Sequence, residues 1–121
     1  MAKVLIVDDS RVYRYSLRKL MKEWGHEVVI AKNGEQGILA ARKEKPELIL
    51  MDIVMPGMSG YQAKRMLARD AETAEIPVIF VSTRDEETDK VWGLRQGAQA
   101  YVTKPIEPDE LQSAITKAMA A

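Results

Sequence analysis

Five short apolar runs punctuate the chain, KVLIVD, EVVIA, ELILMD, PVIFVS and AYVT, and each is followed by a longer stretch in which apolar residues recur at helical spacing. The pattern predicts a strand and then a helix, five times over. In the first helix Val12, Leu17, Leu20, Met21 and Trp24 fall at roughly i, i+3, i+4 intervals. Gly25 follows where a left-handed residue ends a helix. The second helix opens near Asn33 and Gly34, turns Ile38, Leu39 and Ala41 inward and runs out at Pro46. The remaining three are predicted over Tyr61–Ala71, Glu86–Gln96 and Pro108–Ala120, with Gly97 closing the fourth and Pro108 suited to a first turn.

Strands that read as nearly continuous apolar runs, without strict alternation, are buried on both faces, as in a parallel sheet covered by helices on either side. The fold class expected is therefore α/β, a doubly wound five-stranded parallel sheet with five helices. The five units consume residues 1–121 as one domain, with no linker and no second, output domain expected. In such sheets ligands bind at the carboxyl ends of the strands, near the point where strand order reverses, so the last residue of each strand is where chemistry should be sought.

Composition narrows the choice. Lys plus Arg equals Asp plus Glu at 18 each, so the formal net charge is zero and gives no general attraction to nucleic acid or to an anionic membrane. No cysteine is present, which excludes disulfides and thiolate chemistry. The single histidine, His26, lies beyond the first helix, away from the strand carboxyl ends; it is read as structural or solvent-facing and not as a phosphodonor. No apolar run approaches the length of a signal peptide core or a membrane span, and a cytoplasmic location is expected.

The strand ends carry the chemistry. Strand one ends in Asp8 and Asp9, strand three in Asp52 and strand four in Ser82, while strand five leads into Lys104-Pro105. Each is unremarked alone: an N-cap, a turn residue ahead of Pro56-Gly57, a strand-end hydroxyl and a solvated lysine. With strands one, three, four and five side by side, they converge on one pocket. Three carboxylates about 5 Å apart repel pairwise by roughly 3 kcal/mol at an effective dielectric of about 20. Lys104 and one divalent cation together neutralise them, and an all-oxygen acidic set suits magnesium better than zinc. Such a pocket can accept a phosphoryl group, with Asp52 as the nucleophile.

The acid pair in VLIVDDS, the acceptor in LILMDIVMPGMSG, the hydroxyl in VIFVST and the aromatic and Lys-Pro in AYVTKP closely resemble the receiver domain of bacterial response regulators, the CheY-like family, over essentially the whole chain. The resemblance implies strand order 2-1-3-4-5. It also implies that Asp52 takes a phosphoryl group from a sensor histidine kinase, and that Asp9 and Asp52 ligate magnesium (manganese as an alternative) with Asp8 assisting and the Val54 carbonyl completing the set. Ser82 and Lys104 would hold the phosphoryl oxygens, Ser82 and Tyr101 would form the switch, and the Lys104-Pro105 bond would be cis. Within the family, DAETAEIPVI and ETDKVWGLRQGAQAYVTKP look most like the single-domain regulators of twitching motility, the PilH type, with a role in chemotaxis or type IV pilus motility. The implied molecule is a monomeric phospho-acceptor switch, not an enzyme in its own right although it assists its own phosphorylation and dephosphorylation. It would signal to an unknown downstream protein, with neither nucleic acid nor membrane as partner.

Three positions depart from the family pattern. Val54 offers no side chain to orient an attacking water, Arg84 either reaches towards the phosphoryl oxygens or extends into solvent, and Thr83 is bulkier than the usual Ala or Gly. A phosphoryl lifetime unlike that of fast chemotaxis regulators is expected. Trp92, with Arg95 and Tyr101, is the candidate partner surface; otherwise the indole simply covers a helix flank. Met51, Met55, Met58 and Met66 read as pliable packing around the acceptor loop. A flavin module of the same topology is disfavoured because two carboxylates after strand one would repel phosphate. A hydrolase of free substrates would need an insertion that the chain lacks, and a degenerate receiver would not keep the full acidic set.

Overall fold

A computed structural model describes residues 1–120. In chain order the elements are β1 (Lys3–Val7), α1 (Arg11–Glu23), β2 (Glu27–Ala31), α2 (Gly34–Glu44), β3 (Leu48–Met51), α3 (Gly60–Arg69), β4 (Val78–Ser82), α4 (Glu87–Arg95), β5 (Ala100–Thr103) and α5 (Pro108–Ala120). The sheet order is β2-β1-β3-β4-β5 with every pair parallel, as the resemblance implies. Order reverses between β1 and β3, whose carboxyl ends therefore border the crevice of the fold.

Side-chain alternation divides the central strands between two cores. Leu5, Val7, Ile49, Met51, Val78 and Phe80 face Ile38 and Ala41 of α2 and Ala63 and Leu67 of α3. Val4, Ile6, Leu48, Leu50, Ile79 and Val81 face Leu17 and Met21 of α1 and Leu111 and Ile115 of α5. Each such side chain removed from water contributes roughly 1.5–3 kcal/mol. The three central strands are thereby rigid, and their carboxyl ends are fixed relative to one another.

Local signals set the helix ends. Ser10, Asn33 and Ser59 cap α1, α2 and α3 by accepting from Tyr13, Gln36 and Gln62 main-chain N–H groups, and Ser59 with Gln62 completes a capping box. Gly25 and Gly97 follow α1 and α4 at φ of 85° and 95°, as expected of residues that end helices. α5 spans its predicted residues, whereas α3 stops at Arg69, two residues short of prediction.

Two residues read as inward-facing are not. Val12 is 71% exposed because it lies about 180° around α1 from Met21, and Leu39 is 63% exposed because it lies about 100° from Ile38 on α2. Burial on both faces also fails for β2, which is a sheet edge and fully buries only Ala31. On α4 only Gly93 is buried, while Val91 and Leu94 stay exposed. No described helix is long and apolar enough to cross a membrane.

Candidate functional site

The main chain places the carboxylates. The Asp8 N–H donates to the Ala31 carbonyl (3.2 Å) and the Asp52 N–H to the Val7 carbonyl (2.9 Å), so both acids extend the ladder one step past their strands. Asp8 and Asp52 are buried while Asp9 is exposed. Carboxylate oxygens of all three lie within 4.8 Å of one another.

Each buried acid is held by specific donors. Asp8 Oδ1 accepts from the Ser10 N–H (2.9 Å), and Arg14 donates to the Asp8 carbonyl (2.9 Å). Asp52 Oδ1 accepts from the Ile53 N–H (2.8 Å), which sets the carboxylate rotamer. The Lys104 Nζ stands 2.8 Å from Asp8 Oδ2 and 3.5 Å from Asp52 Oδ2, with its side chain 3% exposed. The ring of Tyr13 covers the same ammonium at 3.9 Å from its centroid. The Lys104-Pro105 bond is cis, and the Lys104 N–H donates to the Ser82 carbonyl (2.8 Å).

Burial pushes the Asp52 carboxyl above the ordinary carboxylate range; Lys104 pulls it down and Asp8 pushes it up again. By count of charged groups, the one ammonium does not neutralise three ionised carboxylates. Three carboxylates with one open, exposed side formed by Asp9 fit a hard divalent cation that takes oxygen ligands and retains waters.

Ser82 ends β4 fully buried, its Oγ accepting from the Arg84 N–H at 3.2 Å. Of the two courses left open for Arg84, the structure takes the second: the residue is exposed, and its guanidinium pairs at the surface with Asp89 at 3.3 Å. The Arg84 carbonyl accepts the Tyr101 hydroxyl at 2.8 Å. Tyr101 stands edge-on to Phe80 at 6.5 Å, Phe80 to Tyr61 at 5.5 Å and Tyr61 to Trp92 at 6.3 Å. Aromatic contact thus runs from β5 through β4 and α3 to α4. Trp92 is 48% exposed, Arg95 is exposed and Tyr101 is half-buried, so these three do not form a buried unit. The Val54 side chain is exposed, as is Thr83.

Sequence reasoning missed Tyr13, Arg14 and Gly60. An aromatic three residues after the Ser10 cap was the one available signal for Tyr13. Gly60 opens α3 with its N–H on the Ile53 carbonyl (2.8 Å), and a Cβ there would press on the Asp52 carbonyl oxygen and stand 2.9 Å from Ile53 Cα. Backbone cannot yield as a flexible side chain can. Gly60→Ala should therefore destabilise the protein by about 3 kcal/mol and displace the acceptor, read as a lower urea midpoint; an unchanged midpoint would contradict this packing.

The sequence profile of the response regulator receiver domain matches residues 4–116. The chain is 53% identical to Protein PilH of Pseudomonas aeruginosa over 99% of both chains. It is 40% identical to the phosphate regulon transcriptional regulatory protein PhoB of the same organism over 89% of this chain, and there it spans about half of the relative, 47%. Among solved structures, a putative response regulator from Chloroflexus aurantiacus superposes with a TM-score of 0.94 at 28% identity, covering 99% of this chain and 98% of the other. The chemotaxis protein CheY4 of Vibrio cholerae gives a TM-score of 0.90 at 28% identity over 98% of each chain.

Proposed function

The chain belongs to the response regulator receiver domain family, and from that premise we propose that Asp52 is its phospho-acceptor, taking the group from a sensor histidine kinase. The observation that carries this reading is the Lys104 ammonium seated 2.8 Å from Asp8 and 3.5 Å from Asp52, beside three carboxylates that share a 4.8 Å neighbourhood. In the transfer, an Asp52 carboxylate oxygen bonds to phosphorus while the P–N bond of a phosphohistidine breaks, its electron pair leaving with the imidazole. Lys104 and the Ser82 hydroxyl then face the phosphoryl oxygens. In that contact Ser82 donates its hydroxyl hydrogen to a phosphoryl oxygen.

Asp8, Asp9 and Asp52, with the Val54 carbonyl, would hold magnesium, or manganese in its place. Bound there, the ion supplies charge neutralisation as negative charge develops on the transferred group. The protein is a switch that assists its own phosphorylation and hydrolysis rather than an enzyme acting on free substrates. When Ser82 is drawn to a phosphoryl oxygen, its contact with the Arg84 main chain is the one lost, and that main chain also holds the Tyr101 hydroxyl. A shift of population between two packings of Tyr101 follows. Trp92 and Arg95 of α4, with Tyr101, then form the surface read by a downstream protein. A monomer in the cytoplasm, with neither nucleic acid nor membrane as partner, belongs to the same reading, as does a role in motility control like that expected from the resemblance to PilH.

The test uses purified protein and acetyl phosphate. Label should enter as an acyl phosphate cleaved by hydroxylamine, only when magnesium or manganese is present. Label that enters equally in chelator would remove the metal from the proposal, and absence of label under any condition would overturn the acceptor reading.

A further inference from the structure

The Lys104 ammonium is nearly enclosed, yet its charge is shared unequally. Asp8 lies at hydrogen-bonding distance, 2.8 Å; Asp52, at 3.5 Å, is a looser ion-pair contact; and the third side is closed by the face of Tyr13 at 3.9 Å from the ring centroid. The ring is placed by a local device: Ser10 caps α1 by accepting the Tyr13 N–H at 3.3 Å, while the Ser10 N–H itself holds Asp8. The same turn thus sets one carboxylate and one aromatic face around the ammonium.

We propose that Tyr13 is a positioning residue for phosphoryl transfer, its ring face retaining the Lys104 ammonium beside Asp52 when the neighbouring carboxylates are committed to a divalent ion. This inference rests on the acceptor reading above. The physical need is plain. A dication among Asp8, Asp9 and Asp52 withdraws their negative charge from Lys104 and repels the ammonium as well. The ring quadrupole is not consumed by the metal, and its attraction for a cation is strongest where water is excluded, as it is around a side chain 3% exposed. An aliphatic side chain would fill the same space without a negative face. The phenolic hydroxyl has no part in the contact, so phenylalanine should serve as well as tyrosine.

The experiment compares wild type, Tyr13→Phe, Tyr13→Leu, Lys104→Met and the Tyr13→Leu/Lys104→Met pair for the rate of phosphorylation by acetyl phosphate in saturating magnesium. Tyr13→Met is carried as a parallel aliphatic variant in case leucine does not fold. Tyr13→Leu should transfer about tenfold more slowly, equivalent to ~1.4 kcal/mol, and Tyr13→Phe should restore the rate. In the Lys104→Met background Tyr13→Leu should have no further effect, since the partner of the ring is gone. A second readout needs neither metal nor transfer: the ε-methylene protons of Lys104 should resonate upfield in metal-free wild type and Tyr13→Phe, through the ring current, and return to ordinary positions in Tyr13→Leu. Aliphatic variants as fast as wild type, Tyr13→Phe as slow as Tyr13→Leu, or a full Tyr13→Leu effect without Lys104 would each overturn the assignment. Wild-type protein that takes no label sinks the acceptor reading itself, and the role of Tyr13 with it.

Discussion

Asp52→Asn should abolish phosphoryl labelling outright and, in metal-free protein near neutral pH, raise the unfolding midpoint. Both effects come from one oxygen pair. The amide keeps the size of the carboxylate but is too weak a nucleophile to take the group. On stability, burial is the largest influence on the Asp52 carboxyl and pushes it up, against the pull of Lys104. The native state therefore holds a proton on Asp52 at pH values where the unfolded chain has already lost it. Stability accordingly falls as pH rises from the ordinary carboxylate value through the raised one. Above that window the full cost of the buried charge is present, and asparagine removes it. Lys104 keeps its closer partner Asp8, so the substitution leaves no orphaned ammonium. Thermal unfolding of both proteins across pH is the measurement: the advantage of Asp52→Asn should be full above the window and vanish below the ordinary carboxylate value. Equal midpoints at neutral pH, or an advantage that persists at low pH, would contradict the electrostatic account.

Lys104→Met should act in the opposite direction. It leaves Asp8, 1% exposed, and Asp52, 7% exposed, facing each other without a cation. Removing one partner of a buried ion pair costs about 3–5 kcal/mol, because the remaining charge is neither hydrated nor compensated. Here two carboxylates remain, so metal-free Lys104→Met should unfold at markedly lower urea than wild type at neutral pH. The loss should shrink on acidification, which protonates a carboxyl, and shrink again with magnesium, which replaces the missing positive charge. Magnesium should also bind more tightly than to wild type, since the ammonium no longer repels it. Transfer should slow nonetheless, because the phosphoryl oxygens lose a donor. A stability loss that neither acid nor magnesium reduces would mean that Lys104 matters through packing instead of charge.

These two substitutions also separate what could be read from the chain from what could not. The apolar runs and their helical sequels were legible because sheet and helix periods are local, and so was the opening of the second helix near Asn33, whose cap acts within three residues. The strand-end residues Asp8, Asp9, Asp52, Ser82 and Lys104 were legible as a list, once a parallel sheet was inferred. Val12 and Leu39 misled because an apolar residue on a helix announces burial only if its angle matches the packed stripe, and both lie off it.

What the sequence determined by itself is the inventory: five strand-helix units, a complete acidic set and a lysine in the right order. Only the tertiary structure decided that of two adjacent aspartates one is buried and the other open, that an ammonium 96 residues away closes on the buried one, and that Tyr13 covers it. The reason is physical. Propensity and periodicity act over a few residues along the chain, whereas charge pairing, desolvation and ring contact act across a few ångströms of space, and only packing of the whole sheet brings those two measures of nearness together.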